Sequence, residues 1–280
     1  MDAPSRYVVA GNPVAHSQSP FIHAEFARQT GEAVSYDRLL CPLDAFTATV
    51  RGFAAGGGAG CNVTMPFKFE AFALAGTRTA RAALAEACNC LRFDSHGWTG
   101  DNTDGAGLVA DLVANAGVEL RGARILVVGA GGGAAGALGP LLAAAPAELV
   151  VANRTEARAV ELVSRHGAAA STSGTRLRAA SLEAPGRAFD VVVNASASSV
   201  GGAAVPVEAD VLRPGALALD MMYGPAALPF LAWARAHGAV GRDGLGMLVE
   251  QAADAFLFWR GIRPPTADVL AALRRRVDAT

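Results

Sequence analysis

The chain has 280 residues, a net charge of −1 and a hydrophobic fraction of 52%. That is ample material for one or two buried cores, and too little basic excess for a nucleic-acid binder. No apolar run reaches the roughly 18 residues of a membrane span, and residues 1–6 lack the basic and apolar pattern of a signal peptide.

The four cysteines, Cys41, Cys61, Cys88 and Cys90, are too few for a disulfide framework. Cys88 and Cys90 have no second cluster to complete a metal site, so no metal is expected. A reducing, cytoplasmic compartment is the simplest expectation. The basic residues are 23 arginines and one lysine, Lys68. A lysine amine can lose its proton and a guanidinium effectively cannot. Lys68 is therefore either a chemical residue or a straggler in an arginine-biased chain.

Along the first hundred residues, short strand and helix patterns alternate. Residues 6–10 read as a strand. Ser19-Pro20 reads as a helix N-cap with proline in the first turn, leading into residues 21–29 and a stopping Gly31. Strand 34–40, helix 43–55 and strand 61–64 follow, and Pro66 opens another helix. Asn89 reads as the end of a further strand. This alternation predicts an α/β unit with a largely parallel sheet.

Polar residues in this unit stand where a plain core would not place them. Ser17 and Ser19 flank a helix start, where hydroxyls and free N–H groups can bind a carboxylate or simply cap the helix. Asn62 and Thr64 share a strand face by the two-residue period, and Lys68 follows on the first helical turn. The run Gly100-Asp101-Asn102-Thr103-Asp104-Gly105 is dense in polar groups before the next helix, 105–116. Part of it is turn and cap chemistry. A Lys/Asp pair there also suits alcohol oxidation, in which a lysine handles the proton and a cofactor takes the hydride.

A second α/β unit begins near residue 105. Residues 125–128 form an apolar run typical of a strand covered on both faces. It leads into Gly129-Ala130-Gly131-Gly132-Gly133-Ala134-Ala135-Gly136 and a helix extending to about residue 145. Strand, glycine loop and helix in that order form the context a dinucleotide pyrophosphate needs. Further strands read at 149–152, 191–194, 217–220 and 239–240, a Rossmann-type succession. Strand 149–152 ends without the Asp or Glu expected of an NAD site. It offers Asn153-Arg154-Thr155 and then Arg158, a set able to hold a 2′-phosphate, which favours NADP. Arg158 can instead pair with Glu156 or Glu161 on a solvated helix face. The helical patterns 245–259 and 267–277 close the chain. Periodicity leaves open whether they cap the second sheet or return to the first unit.

Several blocks in this order resemble the shikimate dehydrogenase family nearly end to end. They are Gly11-Asn12-Pro13-Val14-Ala15-His16-Ser17-Gln18-Ser19-Pro20, Asn62-Val63-Thr64-Met65-Pro66-Phe67-Lys68, Asn102-Thr103-Asp104-Gly105, the glycine loop, Asn153-Arg154-Thr155, Asp220-Met221-Met222-Tyr223, and Asp243-Gly244-Leu245-Gly246-Met247-Leu248 through Gln251.

The resemblance implies an N-terminal mixed α/β substrate domain (1–104 plus 246–280, with the C-terminal helices returning to it). It also implies a Rossmann-type NADP-binding domain (105–245). The implied activity is reversible reduction of 3-dehydroshikimate to shikimate with NADPH, in aromatic amino-acid biosynthesis. The implied roles are carboxylate binding by Ser17 and Ser19 with Tyr223 nearby, and ring-hydroxyl binding by Asn62, Thr64, Asn89, Asp104 and Gln251. Lys68 and Asp104 form the catalytic pair. Gly129, Ala130, Gly131, Gly132, Gly133, Ala134, Asn153, Arg154, Thr155, Arg158, Ser196, Met221 and Gly244 stand on the cofactor side.

The chain departs from the family pattern at Cys90 and Leu228, where threonine is usual. It also has Asn194-Ala195-Ser196 where the family has Asn-Ala-Thr. Cys90 and Ser196 are expected to tune affinity, and none of the three changes removes a catalytic group. The expected partner is a small-molecule substrate, with no nucleic acid and no membrane, and the expected assembly is a monomer or homodimer.

Overall fold

The α/β alternation is present in a computed structural model that describes residues 3–196, 198 and 205–279. The chain divides into two compact units, Met1–Gly107 with Leu248–Thr280, and Leu108–Met247.

The first unit starts with β1 (Ser5–Gly11), α1 (Ser19–Thr30), β2 (Val34–Leu40), α2 (Phe46–Ala55), β3 (Gly58–Val63) and α3 (Lys68–Leu74). It continues with β4 (Thr77–Arg78), α4 (Ala80–Ala85), β5 (Cys90–Asp94), β6 (Gly97–Asp101) and the start of α5 (Asp104–Ala110). The sheet order is β2-β1-β3-β5-β6-β4. β1, β2 and β3 run parallel, but β5 pairs antiparallel with both β3 and β6. The sheet is therefore mixed but parallel-rich, as expected, with β5 the one strand that runs against the rest. The Asp94-to-Gly97 hairpin is too short for a crossover helix, so β5 and β6 must run antiparallel.

That mixture has a consequence for the site. The register pairs Asn62 with Cys90 and Cys90 with Asp101. The end of β3, the start of β5 and the end of β6 therefore meet at one margin of the sheet. Asn89 accordingly stands just before β5, not at the end of a strand.

Four further boundaries differ from expectation. Ser19 is the first helical residue of α1 rather than its cap, and Gln18 holds the cap position without a side-chain bond. The Ser17 hydroxyl accepts the Ser19 N–H instead, at 3.3 Å. Helix α2 begins at Phe46 and α3 at Lys68, two residues after Pro66. Helix 105–116 is an α-helix only to Ala110 and ends in a π-helical turn, Asp111–Asn115.

The second unit holds β7 (Arg124–Val128), α6 (Gly132–Ala143), β8 (Glu148–Ala152), α7 (Glu156–Arg165), α8 (Gly167–Ser173) and β9 (Arg176–Ala180). After these come β10 (Phe189–Asn194), β11 (Leu212–Asp220), α9 (Leu228–Ala236) and β12 (Val240–Arg242). The order β12-β11-β10-β7-β8-β9 is parallel throughout. β7, β8 and β10 are buried on both faces, one by Leu138, Leu141 and Leu162 and the other by Phe230 and Ala234. This is why their sequences are continuous Val/Ile/Leu runs. The order reverses between β7 and β10, the switch point where such sheets bind ligands at their carboxyl ends.

The chain ends with α10 (Leu245–Arg260) and α11 (Ala267–Asp278). Within the first unit, Trp259 of α10 stacks on Tyr7 at 4.4 Å and donates to the Leu91 carbonyl at 3.1 Å. Arg276 of α11 lies over Phe21 and donates to Gln18. Among the described residues, no helix is long and apolar enough to cross a membrane, and no His/Cys/Asp/Glu group is arranged to hold a metal ion. The four cysteines are buried free thiols.

Candidate active site

In the first unit, Lys68 opens α3 and Asp104 opens α5. Their side chains meet, with Lys68 Nζ donating to Asp104 Oδ2 at 2.5 Å. The pair is largely shielded, with side-chain exposures of 16% and 7%. An ammonium carries three donors. Among the described residues Asp104 is the hydrogen-bond partner of this one, so donors remain for a ligand.

Asn89 braces the carboxylate. Its Nδ2 has three acceptors in reach: Asp104 Oδ1 at 2.8 Å, Thr103 Oγ1 at 2.9 Å and Gln251 Oε1 at 3.3 Å. Its Oδ1 accepts the Thr103 N–H at 2.8 Å. An amide nitrogen has only two hydrogens, so the three contacts cannot all be full bonds; the Gln251 oxygen is the most distant of them and also lies 3.3 Å from the donating Thr103 hydroxyl. Gln251 Nε2 is held by the Leu248 carbonyl at 2.8 Å. Gly107 makes this approach possible: a Cβ there would sit 2.6 Å from the Gln251 Cβ.

Beside Asn102 and Asp104 lies an ion pair not singled out from the sequence. Asp101 accepts from Arg81 Nε at 2.7 Å and Nη2 at 2.5 Å, from Thr79 Oγ1 at 2.5 Å and from the Asn102 N–H at 2.8 Å. Asn102 Oδ1 in turn accepts the Asp104 N–H at 3.2 Å. Burial pushes the Asp101 carboxyl up, but the Arg81 guanidinium outweighs it and holds the group below the ordinary carboxylate range. Only the density of polar residues at 101–104 points here from the sequence.

Elsewhere in the same unit, Ser17 Oγ donates to Ser19 Oγ at 3.1 Å, and Arg38 donates to the Ser17 carbonyl at 2.6 and 3.1 Å. Tyr36 Oη donates to Asn62 Oδ1 at 2.7 Å, and Asn62 Nδ2 to the Asn89 carbonyl at 3.2 Å. Burial raises the Tyr36 phenol well above its ordinary value, and the neighbouring Ser19 hydroxyl acts in the opposite sense. His23, fully buried, stacks on Tyr36 at 4.1 Å. Burial lowers its pKa to about 3, with Asn62 beside it acting weakly the other way. Thr64 lies just past β3, and its N–H is held by the Ala10 carbonyl at 2.9 Å.

In the second unit, the predicted cofactor residues sit just beyond the carboxyl ends of β7, β8, β10, β11 and β12, with Arg158 in the first turn of α7. Gly129 has φ 111°, and a Cβ there would lie 3.0 Å from the backbone of Ala195 and Ser196, so only glycine fits this turn between neighbouring strands. Gly131 precedes α6, and a Cβ there would meet nothing within 4 Å. The open space lies at a helix N-terminus, as a pyrophosphate requires. The Gly133 Cβ position is 3.2 Å from Met221 Sδ, and that of Gly244 is 2.3 Å from the Met221 carbonyl. Ser196 Oγ donates to Asn194 Oδ1 at 2.7 Å. Tyr223 precedes a 3-10 turn, Gly224–Ala227.

After β8, Asn153 Nδ2 donates to the Thr155 carbonyl at 2.9 Å. Arg154 and Arg158 are exposed, and neither is in an ion pair among the described residues. Glu161, the alternative partner for Arg158, pairs with Arg165 at 3.2 Å. Two uncommitted guanidinium groups beside a carboxylate-free strand end suit a phosphorylated ribose.

Comparison with known proteins agrees with both halves. The sequence profile of the shikimate dehydrogenase substrate binding domain matches residues 9–91. That of shikimate / quinate 5-dehydrogenase matches 111–201, and that of the shikimate 5'-dehydrogenase C-terminal domain matches 244–274. A shikimate dehydrogenase (NADP(+)) from Methylibium petroleiphilum is 64% identical, the alignment covering 99% of this chain and 96% of that one. Among solved structures, an Ael1 enzyme from Pseudomonas putida is 45% identical with a TM-score of 0.86, covering 96% of this chain and 98% of that one. A shikimate 5-dehydrogenase from Thermus thermophilus, solved in complex with shikimate, is 31% identical with a TM-score of 0.83, covering 98% and 99%. With matches running through both units and identity sustained over almost the whole length, this chain belongs to the shikimate dehydrogenase family.

Proposed function

We propose that the chain reversibly reduces 3-dehydroshikimate to shikimate with NADPH, and that the Lys68–Asp104 pair handles the proton. The observation that carries this reading is the 2.5 Å contact of that pair within a braced, nearly buried polar cluster. A nicotinamide dinucleotide, when bound, supplies the hydride or accepts it. Gly129, Gly131 and the start of α6 would hold its pyrophosphate, and Asn153, Arg154, Thr155 and Arg158 its 2′-phosphate. Ser196, Met221 and Gly244 are assigned to the same cofactor.

In the reducing direction Lys68 Nζ delivers a proton to the C3 oxygen as that oxygen becomes an alcohol. In the oxidising direction it takes the proton back. Asp104 holds the amine in place and balances its charge, and Asn89 keeps the carboxylate from rotating. Ser17 and Ser19 receive the substrate carboxylate, for which Tyr223 is also proposed. Asn62, Thr64, Asn89, Asp104 and Gln251 read the ring hydroxyls. We further propose a cytoplasmic monomer or homodimer that does not engage nucleic acid.

The direct test follows absorbance at the nicotinamide band with shikimate or quinate and NADP or NAD. The expected outcome is fastest turnover with shikimate and NADP. No signal on shikimate with either dinucleotide would remove the proposal, and preference for quinate or for NAD would redirect it within the family.

A further inference from the structure

Ser17 and Ser19 stand at one end of a chain of neighbouring polar side chains and Asn89, Asp104 and Lys68 at the other. One residue that no motif marks lies between them. Tyr36, on β2, bonds Asn62 at 2.7 Å, and Ser19 lies beside its hydroxyl.

The direction of these bonds is fixed by chemistry. The Asn89 carbonyl can only accept, so the Asn62 group facing it at 3.2 Å must be the amide nitrogen. Asn62 Oδ1 therefore faces Tyr36, and the phenol must donate to it. Both contacts agree on one amide orientation, which leaves Asn62 a second Nδ2 hydrogen as its remaining donor, with the His23 ring beside it. The phenol oxygen keeps its lone pairs toward Ser19. Tyr36 is in turn held by a flat stack on His23, 4.1 Å between centroids and 7° between planes. His23 stands one helical turn after Ser19 and is fully buried, with no hydrogen-bond partner on either ring nitrogen. It acts on Tyr36 as an aromatic surface, not as a hydrogen-bonding group.

We infer that Tyr36 is a positioning residue for substrate. By occupying Asn62 Oδ1, it makes Asn62 present a donor, rather than an acceptor, to a ring oxygen. It also ties the Ser17–Ser19 end of that polar chain to the Asn62–Asn89 end. This inference rests on the functional reading above and adds to it a residue that does not touch the reacting atoms.

The test is a double-mutant cycle of Tyr36→Phe and Asn62→Ala, read in shikimate KM and kcat. Phenylalanine keeps the stack on His23, and thermal melts verify the fold of each variant. Tyr36→Phe is expected to raise shikimate KM roughly tenfold, within the range of coupling between directly bonded neighbours. It should leave kcat within about twofold and NADP KM unchanged, because Lys68 and Asp104 stay in place. In the Asn62→Ala background the same change should add little. An unchanged KM for Tyr36→Phe, or an equal rise in both backgrounds, would overturn the inference while leaving the functional reading intact. A wild-type chain inert on shikimate would instead remove both.

Discussion

The two units offer their proposed ligands opposite kinds of contact. In the first, the functional side chains are bonded to one another: Lys68 to Asp104, Asp104 to Asn89, Asn89 to Thr103 and Gln251. In the second, the proposed ligand contacts come mainly from backbone N–H groups at a helix start and from arginines without ion-pair partners among the described residues. A prebuilt side-chain network costs little reorganisation during reaction and suits a site where charge must be placed to a fraction of an ångström. A glycine turn with loose cations suits a phosphorylated carrier that must come and go. Damage to the first should therefore appear in turnover, and damage to the second in cofactor affinity.

The largest effect tests the first half of that contrast. Lys68→Ala is expected to lower kcat by about 10²–10⁴-fold, the range of general acid–base catalysis. Shikimate KM should change far less, because Ser17, Ser19, Asn62 and Gln251 are untouched. Steady-state kinetics in both directions measures both quantities. Near-wild-type turnover would remove Lys68 from the chemistry and break the contrast at its strongest point.

The next effect tests the second half. Replacing Arg154 and Arg158 together by Ala should weaken NADPH binding by roughly ten- to a hundredfold, the size of lost charge-assisted hydrogen bonds. NADH binding should stay within about twofold. Both arginines are exposed and outside ion pairs among the described residues, so the melting temperature should hardly move. Titration of each dinucleotide by nicotinamide fluorescence reads this out. An equal loss for NADPH and NADH would place these arginines elsewhere than at a 2′-phosphate.

Legibility in the sequence follows the same divide. The glycine loop and Asn153-Arg154-Thr155 are readable because strand, turn and helix are contiguous there, and the local pattern carries the meaning. Lys68 stands out as one lysine among 23 arginines. The bracing is not readable. Arg81 reaches Asp101 from 20 positions away, and Tyr36 reaches Asn62 from 26. No periodicity reports a contact made across a sheet margin. The antiparallel β5–β6 hairpin that assembles this margin is hidden as well, because Arg92-Phe93-Asp94 and Gly97-Trp98-Thr99 alternate too briefly to fix a direction. Ser19-Pro20 has the composition of a cap, yet Ser17 supplies the acceptor because the chain at Gln18 is already helical.

The smallest expected effect concerns the floor of the first network. His23 is buried, neutral and without hydrogen-bond partners, with a pKa lowered to about 3 by desolvation. An unfolded histidine titrates near 6.5. Between those values the unfolded chain binds a proton that the folded chain refuses, so stability falls as pH falls. The dependence is flat above about pH 6.5 and approaches about 1.4 kcal/mol per pH unit below it, or about 2 kcal/mol by pH 5. His23→Phe keeps an aromatic ring against Tyr36, Phe26 and Phe256 and removes the titrating nitrogen pair. Its stability relative to wild type should therefore rise steadily from pH 6.5 to pH 5, as measured by calorimetric unfolding at each pH. A constant difference across that range would mean that His23 finds its proton in the folded state. The wall supporting Tyr36 would then be a charged group, and the side-chain network would rest on electrostatics rather than on packing.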